Sequence, residues 1–130
     1  MHSNDVVAKV KRITIKVLIA AVALAIVGSA LYTFATLEFS YSEGERVGFV
    51  QKLSKKGWIC KTNEGELAMV NVVGQQATIF NFSVRDESVV TAIEALAGHK
   101  LTLHYAEHRG IPSTCFGETT YFVTGVTKAD

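Results

Sequence analysis

Residues 17 to 37 read VLIAAVALAIVGSALYTFATL, 21 consecutive positions without a charged side chain. As a helix rising 1.5 Å per residue, this run covers roughly 30 Å, the thickness of a bilayer's hydrocarbon core. Two alternatives compete with a membrane span. A secretory signal peptide would explain the basic residues Lys9, Lys11, Arg12 and Lys16 ahead of the run. A signal core is about 7 to 15 residues long and ends at a small-x-small site, whereas this run continues past Ala23-Leu24-Ala25 and Gly28-Ser29-Ala30 into Leu31, Tyr32 and Phe34. A buried helix of a soluble fold would need wrapping on every side, and no second apolar segment can supply that. The sequence therefore predicts an uncleaved anchor over 17–39, a tail over 1–16 and a separate domain over 40–130.

Composition agrees with a divided chain. The 130 residues are 48% apolar but only 9% aromatic, and the mean hydropathy is +0.25, so apolar side chains are concentrated rather than spread. Charge is divided too: residues 1–37 carry four basic and one acidic side chain, and residues 38–130 carry nine basic and eleven acidic. The positive-inside rule counts Lys and Arg near a span. Four precede it, while Glu38, Glu43 and Glu45 follow it, which places the N-terminus in the cytoplasm and the C-terminal domain outside. Tyr32, Phe34, Phe39 and Tyr41 supply an aromatic belt on the exit side. A nearly neutral exported domain is a poor match for nucleic acid, whose phosphates demand a basic surface.

Beyond a short polar link at Ser40 to Glu45, the chain reads mainly as strands. RVGFVQKL (Arg46 to Leu53) and WICKT (Trp58 to Thr62) form a hairpin across Ser54-Lys55-Lys56-Gly57. A second turn at Asn63-Glu64-Gly65 leads to ELAMVNV (Glu66 to Val72), and ATIFNFSV (Ala77 to Val84) follows a kink at Gly74, with Phe80, Phe82 and Val84 on one face. Asp86 is the expected N-cap of a helix bearing Val89, Ile93 and Leu96 on its apolar stripe, closed by Gly98. KLTLHY (Lys100 to Tyr105) alternates, and a loop from Glu107 to Gly117 precedes a last strand from Glu118 to Thr127. Three strands, a helix and two strands is the order of an OB-fold, a small five-stranded Greek-key barrel. The segment at Ala77 to Val84 exceeds a five-strand count, so a small β-sandwich with one helix is the runner-up.

Candidate sites are few. Cys60 and Cys115 would flank one end of such a barrel, and an oxidising exterior favours a disulfide between them. It would close a loop of about 55 residues, worth roughly 3 to 4 kcal/mol in the chain-entropy model; two separate buried thiols are the alternative. No Cys-x-x-Cys motif suggests a thiol-disulfide oxidoreductase. His104 and His108 are four apart, but on an extended strand that separates them by about 13 Å, so they read as surface histidines rather than metal ligands. Glu64 and Glu66 read as solvated hairpin charges. No catalytic residues, metal site or cofactor are expected. Lys52, Lys55, Lys56, Trp58 and Lys61 from the first hairpin, with His108, Arg109 and Phe116 from the last loop, would gather into a basic, aromatic rim able to hold a ligand or partner. Within the span, Ala21, Ala25, Gly28 and Ser29 form a small-residue stripe suited to contact with another membrane helix.

The stretches YSEGERVGFVQKLSKKGWICKTNEGELAM, FNFSVRD and CFGETTYFV resemble a family of small, uncharacterised bacterial membrane-anchored proteins, some labelled 6-phosphogluconate dehydrogenase. The resemblance implies a single-pass protein of the bacterial inner membrane with a periplasmic domain. It brings no activity, since such a dehydrogenase needs a glycine-rich strand-to-helix turn in a far longer chain and only Gly44-x-x-x-Gly48 is present. The expectation is a non-enzymatic binding or accessory protein docking on another membrane or envelope protein, such as a small subunit of a membrane complex. A glycan- or lipid-headgroup-binding module, or an enzyme using Cys60 or His104, are the alternatives.

Overall fold

A computed structural model describes residues 2–69, 76 and 78–129, in two units, Met1–Ala35 and Thr36–Asp130. The first unit lies within helix α1, His2–Glu38, none of whose residues is buried. The helix is long and apolar enough to cross a membrane. It starts at His2 rather than at Val17: Asp5 sits in its first turn, where a carboxylate suits the helix dipole, and the Lys, Arg and Ala of this stretch are good helix formers.

The second unit holds β1 (Ser42–Lys56), β2 (Thr62–Met69), β3 (Thr78–Val84), α2 (Glu87–Ala95), β4 (Leu101–Glu107) and β5 (Tyr121–Lys128). The strands close on themselves in the order β1-β2-β3-β5-β4. β1 makes this possible by serving two neighbours. Its first half, Ser42 to Gly48, pairs antiparallel with β4, and its second half, Phe49 to Lys56, pairs antiparallel with β2. The strand turns from one to the other at Gly48, where a side-chain Cβ would run into the Ala68 carbonyl, and at an irregularity between Val50 and Lys52. Bulges and glycines at such corners bend and twist a strand. The seam between β3 and β5 is parallel and registered at Ser83 opposite Phe122.

Alternation sorts the side chains. Leu67, Phe80 and Phe82 point inward with Leu101, Leu103 and Val123, and α2 adds Val89, Val90 and Ile93 to the same core. Asp86 caps α2, its side chain accepting from the Ser88 amide. Phe80, Tyr105 and Tyr121 pack ring against ring at 5.2–5.5 Å, with the Arg46 guanidinium over Phe80 at 5.1 Å.

Four expectations are corrected. The link at Ser40 to Glu45 is strand from Ser42, because Ser42 to Glu45 pair with His104 to Glu107. Trp58 to Thr62 is not a strand: Gly57 has φ +138°, a backbone few side chains adopt, and its Cβ position is filled by the Cys60 carbonyl, so the chain folds back there and β2 starts at Thr62. Asn63-Glu64-Gly65 is not a turn but the start of β2, with Asn63, Glu64 and Gly65 opposite Val84, Ser83 and Phe82 of β3. The surplus strand that disturbed the five-strand count was WICKT, not ATIFNFSV. The expected kink at Gly74 and the strand's extension over Val70 to Val72 lie outside the described residues.

Candidate docking tip and its surroundings

The turn between β1 and β2 carries the least expected exposure in the barrel unit. Trp58 and Ile59 are 101% and 97% exposed. Two large apolar side chains held fully in water at one point mark an interaction site more often than a neutral surface. The turn is held on both sides. Gly57 closes it against Cys60, and Cys60 is bonded to Cys115 with Cα atoms 4.9 Å apart, tying the turn to the loop before β5.

Around the tip, two of the lysines are already engaged. Lys55 pairs with Glu87 at 3.2 Å and Lys56 with Glu118 at 3.0 Å. The hydrogen bond to Glu118 raises the Lys56 pKa. The Asn63 side-chain amide, which donates to Glu87 at 3.0 Å, and Lys55 lower the Glu87 pKa. Phe116 sits half-buried under the Arg85 guanidinium at 5.8 Å. Lys55, Lys61, Arg85 and Phe116 line one hollow of about 270 Å³. Lys52 and Lys56 line another of about 250 Å³, with Ser54, Glu66, Asn81 and Thr119.

The expected rim is thus divided. Lys55, Lys61 and Phe116 share one wall, and Lys52 and Lys56 share a second, while Trp58 stands free. His108 and Arg109 belong to a separate cluster. The His108 ring is buried, its Nδ1 2.9 Å from the Thr36 carbonyl and 3.1 Å from that of Phe39, with its ring edge-on to Phe122. The Arg109 guanidinium lies 3.8 Å from the centre of the Tyr41 ring and its Nε donates to Glu107 at 3.0 Å. The reason lies in the strand pairing: β4 ends beside Ser42, the start of β1, whereas the tip follows Lys56, the other end of the same fifteen-residue strand. The surface reading of His108 is corrected accordingly. His104 is part-exposed and pairs with Glu45 at 3.0 Å.

Glu64 is likewise not a solvated charge. It is 6% exposed and accepts from Ser83 Oγ at 2.6 Å, Thr62 Oγ1 at 2.9 Å and the Glu118 amide at 2.8 Å. Ser83 in turn accepts from the Thr119 amide at 3.1 Å. Sequence reading missed Ile59, Ser83 and Thr119 and took Glu64 for a solvated charge. Only Ile59 left a signal, as an apolar residue between Trp58 and Cys60. Among the described residues no group of three or more His, Cys, Asp or Glu is placed to hold a metal ion. Along α1, Ala21, Ala25, Gly28 and Ser29 all lie on the exposed surface, and a Cβ at Gly28 would meet nothing within 4 Å.

Among solved structures, the chain is similar to a mitochondrial single-stranded DNA binding protein of S. cerevisiae, at a TM-score of 0.50 and 11% identity, over 71% of this chain and 97% of that one. At that identity the likeness is one of fold. None of the curated proteins compared matches the chain. Residues 39–130 match the domain of unknown function DUF8785, and since this is most of its length, the chain belongs to the DUF8785 family.

Proposed function

We propose that this protein is a membrane-anchored, non-enzymatic docking protein whose OB-fold barrel engages another protein of the bacterial cell envelope through the Trp58–Ile59 tip. The observation that carries this is the tip itself: Trp58 and Ile59 at 101% and 97% exposure on a turn fixed by the Cys60–Cys115 bond. Tryptophan is enriched among the residues that dominate protein interfaces, and a turn fixed before binding loses little conformational freedom on docking. In this reading α1 anchors the chain in the inner membrane with residues 1–16 in the cytoplasm, and the barrel works in the periplasm. The likeness to a single-stranded DNA binding protein does not redirect this, because residues 38–130 carry nine basic against eleven acidic side chains, too even a balance for phosphate-driven binding.

The test is a photo-reactive amino acid placed at position 58 of the full-length chain in cells, with the exposed Glu94 position on α2 as the comparison. A discrete protein adduct from position 58 that is absent from position 94 supports the reading. No adduct at position 58, together with isolation of the chain as a bare monomer in mild detergent, overturns it. A second reading, a glycan- or headgroup-binding module, draws on the hollow bounded by Lys52, Ser54, Glu66 and Asn81, whose side chains all carry hydrogen-bonding groups. Chemical-shift changes confined to these residues on adding oligosaccharide or short-chain phospholipid would favour it over the tip.

A further inference from the structure

Helix α1 is a single unbroken element of 37 residues, about 56 Å long at 1.5 Å per residue. A hydrocarbon core of about 30 Å covers only part of that. In the part preceding Val17, five large apolar side chains are exposed, Val6, Val7, Val10, Ile13 and Ile15; of these Val6, Val10 and Ile13 lead into Val17 at spacings of four, three and four, and these four are 52–60% exposed. Lipid tails shield the uncharged run from Val17 onward but not Val6 and Val10, which would face water.

Spacings of four and three are the 3.5-residue repeat of a two-stranded coiled coil, with these residues at alternating d and a positions. The repeat continues through Ala20, Leu24, Val27, Leu31 and Phe34, with Ala20 its one small member. Inside the span every position is apolar, so side-chain size carries the information there. The positions flanking the seam are Ala21, Ala23, Gly28, Ala30 and Ala35, all small, while the bulky Leu18, Ile19, Val22 and Ile26 lie on the other side of the helix. Small flanks let two backbones approach within a bilayer.

We infer that α1 pairs with α1 of a second copy of this chain along this seam, in parallel, from Val6 to Phe34. The charges fit such a pair. None of Lys9, Lys11, Arg12 and Lys16 falls at a, d or e; the flanking Lys9 and Lys16 face Thr14 and Ala21 of the other helix, so no like charges meet. A partner that covers Val6 and Leu31 alike must leave the bilayer coaxially with α1, and a second α1 does so in register. Headgroup binding by residues 2–16 would require that segment to lie in the membrane plane, which an unbroken helix crossing the bilayer does not allow.

The experiment uses the full-length chain in native membranes, with single replacements Val10→Cys, Lys11→Cys, Arg12→Cys, Ile13→Cys and Ile15→Cys and a short membrane-permeant bis-maleimide. Dimer yield at positions 10 and 13 is expected to exceed that at 11, 12 and 15 at least fivefold. Uniform yield, no yield, a maximum at 11, 12 or 15, or a ladder of higher oligomers overturns the pairing. As a second readout, Val10→Asp with Ile13→Asp should reduce cross-linking through a cysteine at Leu31→Cys about tenfold, with unchanged amounts of protein in the membrane. Unaltered yield there overturns a continuous seam.

Discussion

The carboxylate of Glu64 receives three donors, from Thr62, Ser83 and the Glu118 amide, and their placement explains why a charge is buried on a small barrel. The β3–β5 seam is the thinnest part of the wall, and Glu64 on β2, through Ser83 on β3, holds the Glu118–Thr119 segment ahead of β5 across it. Removing one side of such a network leaves buried donors unpaired. Glu64→Ala should therefore destabilise the barrel by about 3 kcal/mol, read by urea unfolding in detergent. Glu64→Gln, which presents a donor where three donors converge, should recover only part of that loss. At Glu107 the Ser42 hydroxyl, then Arg109, holds the carboxyl below its ordinary value of 4.5. A depressed pKa contributes stability that is present above pH 4.5 and is lost as the pH falls through the lower, folded value. The Glu107 carboxyl carbon should titrate below 4.5 by NMR, and Ser42→Ala should move its midpoint up. An unmoved midpoint would show that Ser42 is not the cause. Neither carboxylate was legible from sequence, since Glu64-Gly65-Glu66 has the look of a polar turn and only pairing with β3 buries its first member.

At the scale of elements, the β1–β2 hairpin joins the most exposed apolar residues to the one disulfide among the described residues. By the loop the cysteines close, Cys60→Ser with Cys115→Ser should cost about 4 kcal/mol in the chain-entropy model for a 55-residue separation. Denaturant midpoints with and without reductant provide the check, and equal midpoints would deny the bond. Trp58 is the chain's single tryptophan, so the tip has its own reporter. Its emission should be that of a water-exposed indole in the folded state and shift little on unfolding; a blue-shifted native spectrum would contradict the exposed tip. The strand-helix-strand order, the Asp86 cap and the inward set Phe80, Phe82 and Val84 were legible because each is a local pattern with a period of two or a capping residue. WICKT was not. Its β-forming composition is what a strand requires, and only the positive φ of Gly57 and the tie to Cys115 make it a turn. The rim was misread for a related reason: alternation shows that residues lie on strands, but not that a fifteen-residue β1 is shared by β2 and β4, which sends His108 and Arg109 to the end away from the tip.

Under the proposed membrane anchoring, the deciding quantity for the whole molecule is which side of the membrane the barrel occupies, because the tip, the disulfide and the choice of partner all depend on it. The asymmetry that sets it is Lys9, Lys11, Arg12 and Lys16 before the uncharged run against Glu38, Glu43 and Glu45 after it. Cationic residues are retained on the cytoplasmic side during insertion, and acidic ones count for little. A periplasm-dependent reporter fused after Asp130 should therefore be active, and one that works only in the cytoplasm should be silent. Replacing the four basic residues by glutamine should lower the first signal and raise the second. The opposite pattern would put Cys60 and Cys115 in a reducing compartment, where their bond would not persist. It would also release Trp58 from its brace. An intact disulfide recovered from cells lysed under thiol-trapping conditions gives the independent measure: full protection from alkylation agrees with an exported barrel, and complete labelling of both cysteines does not.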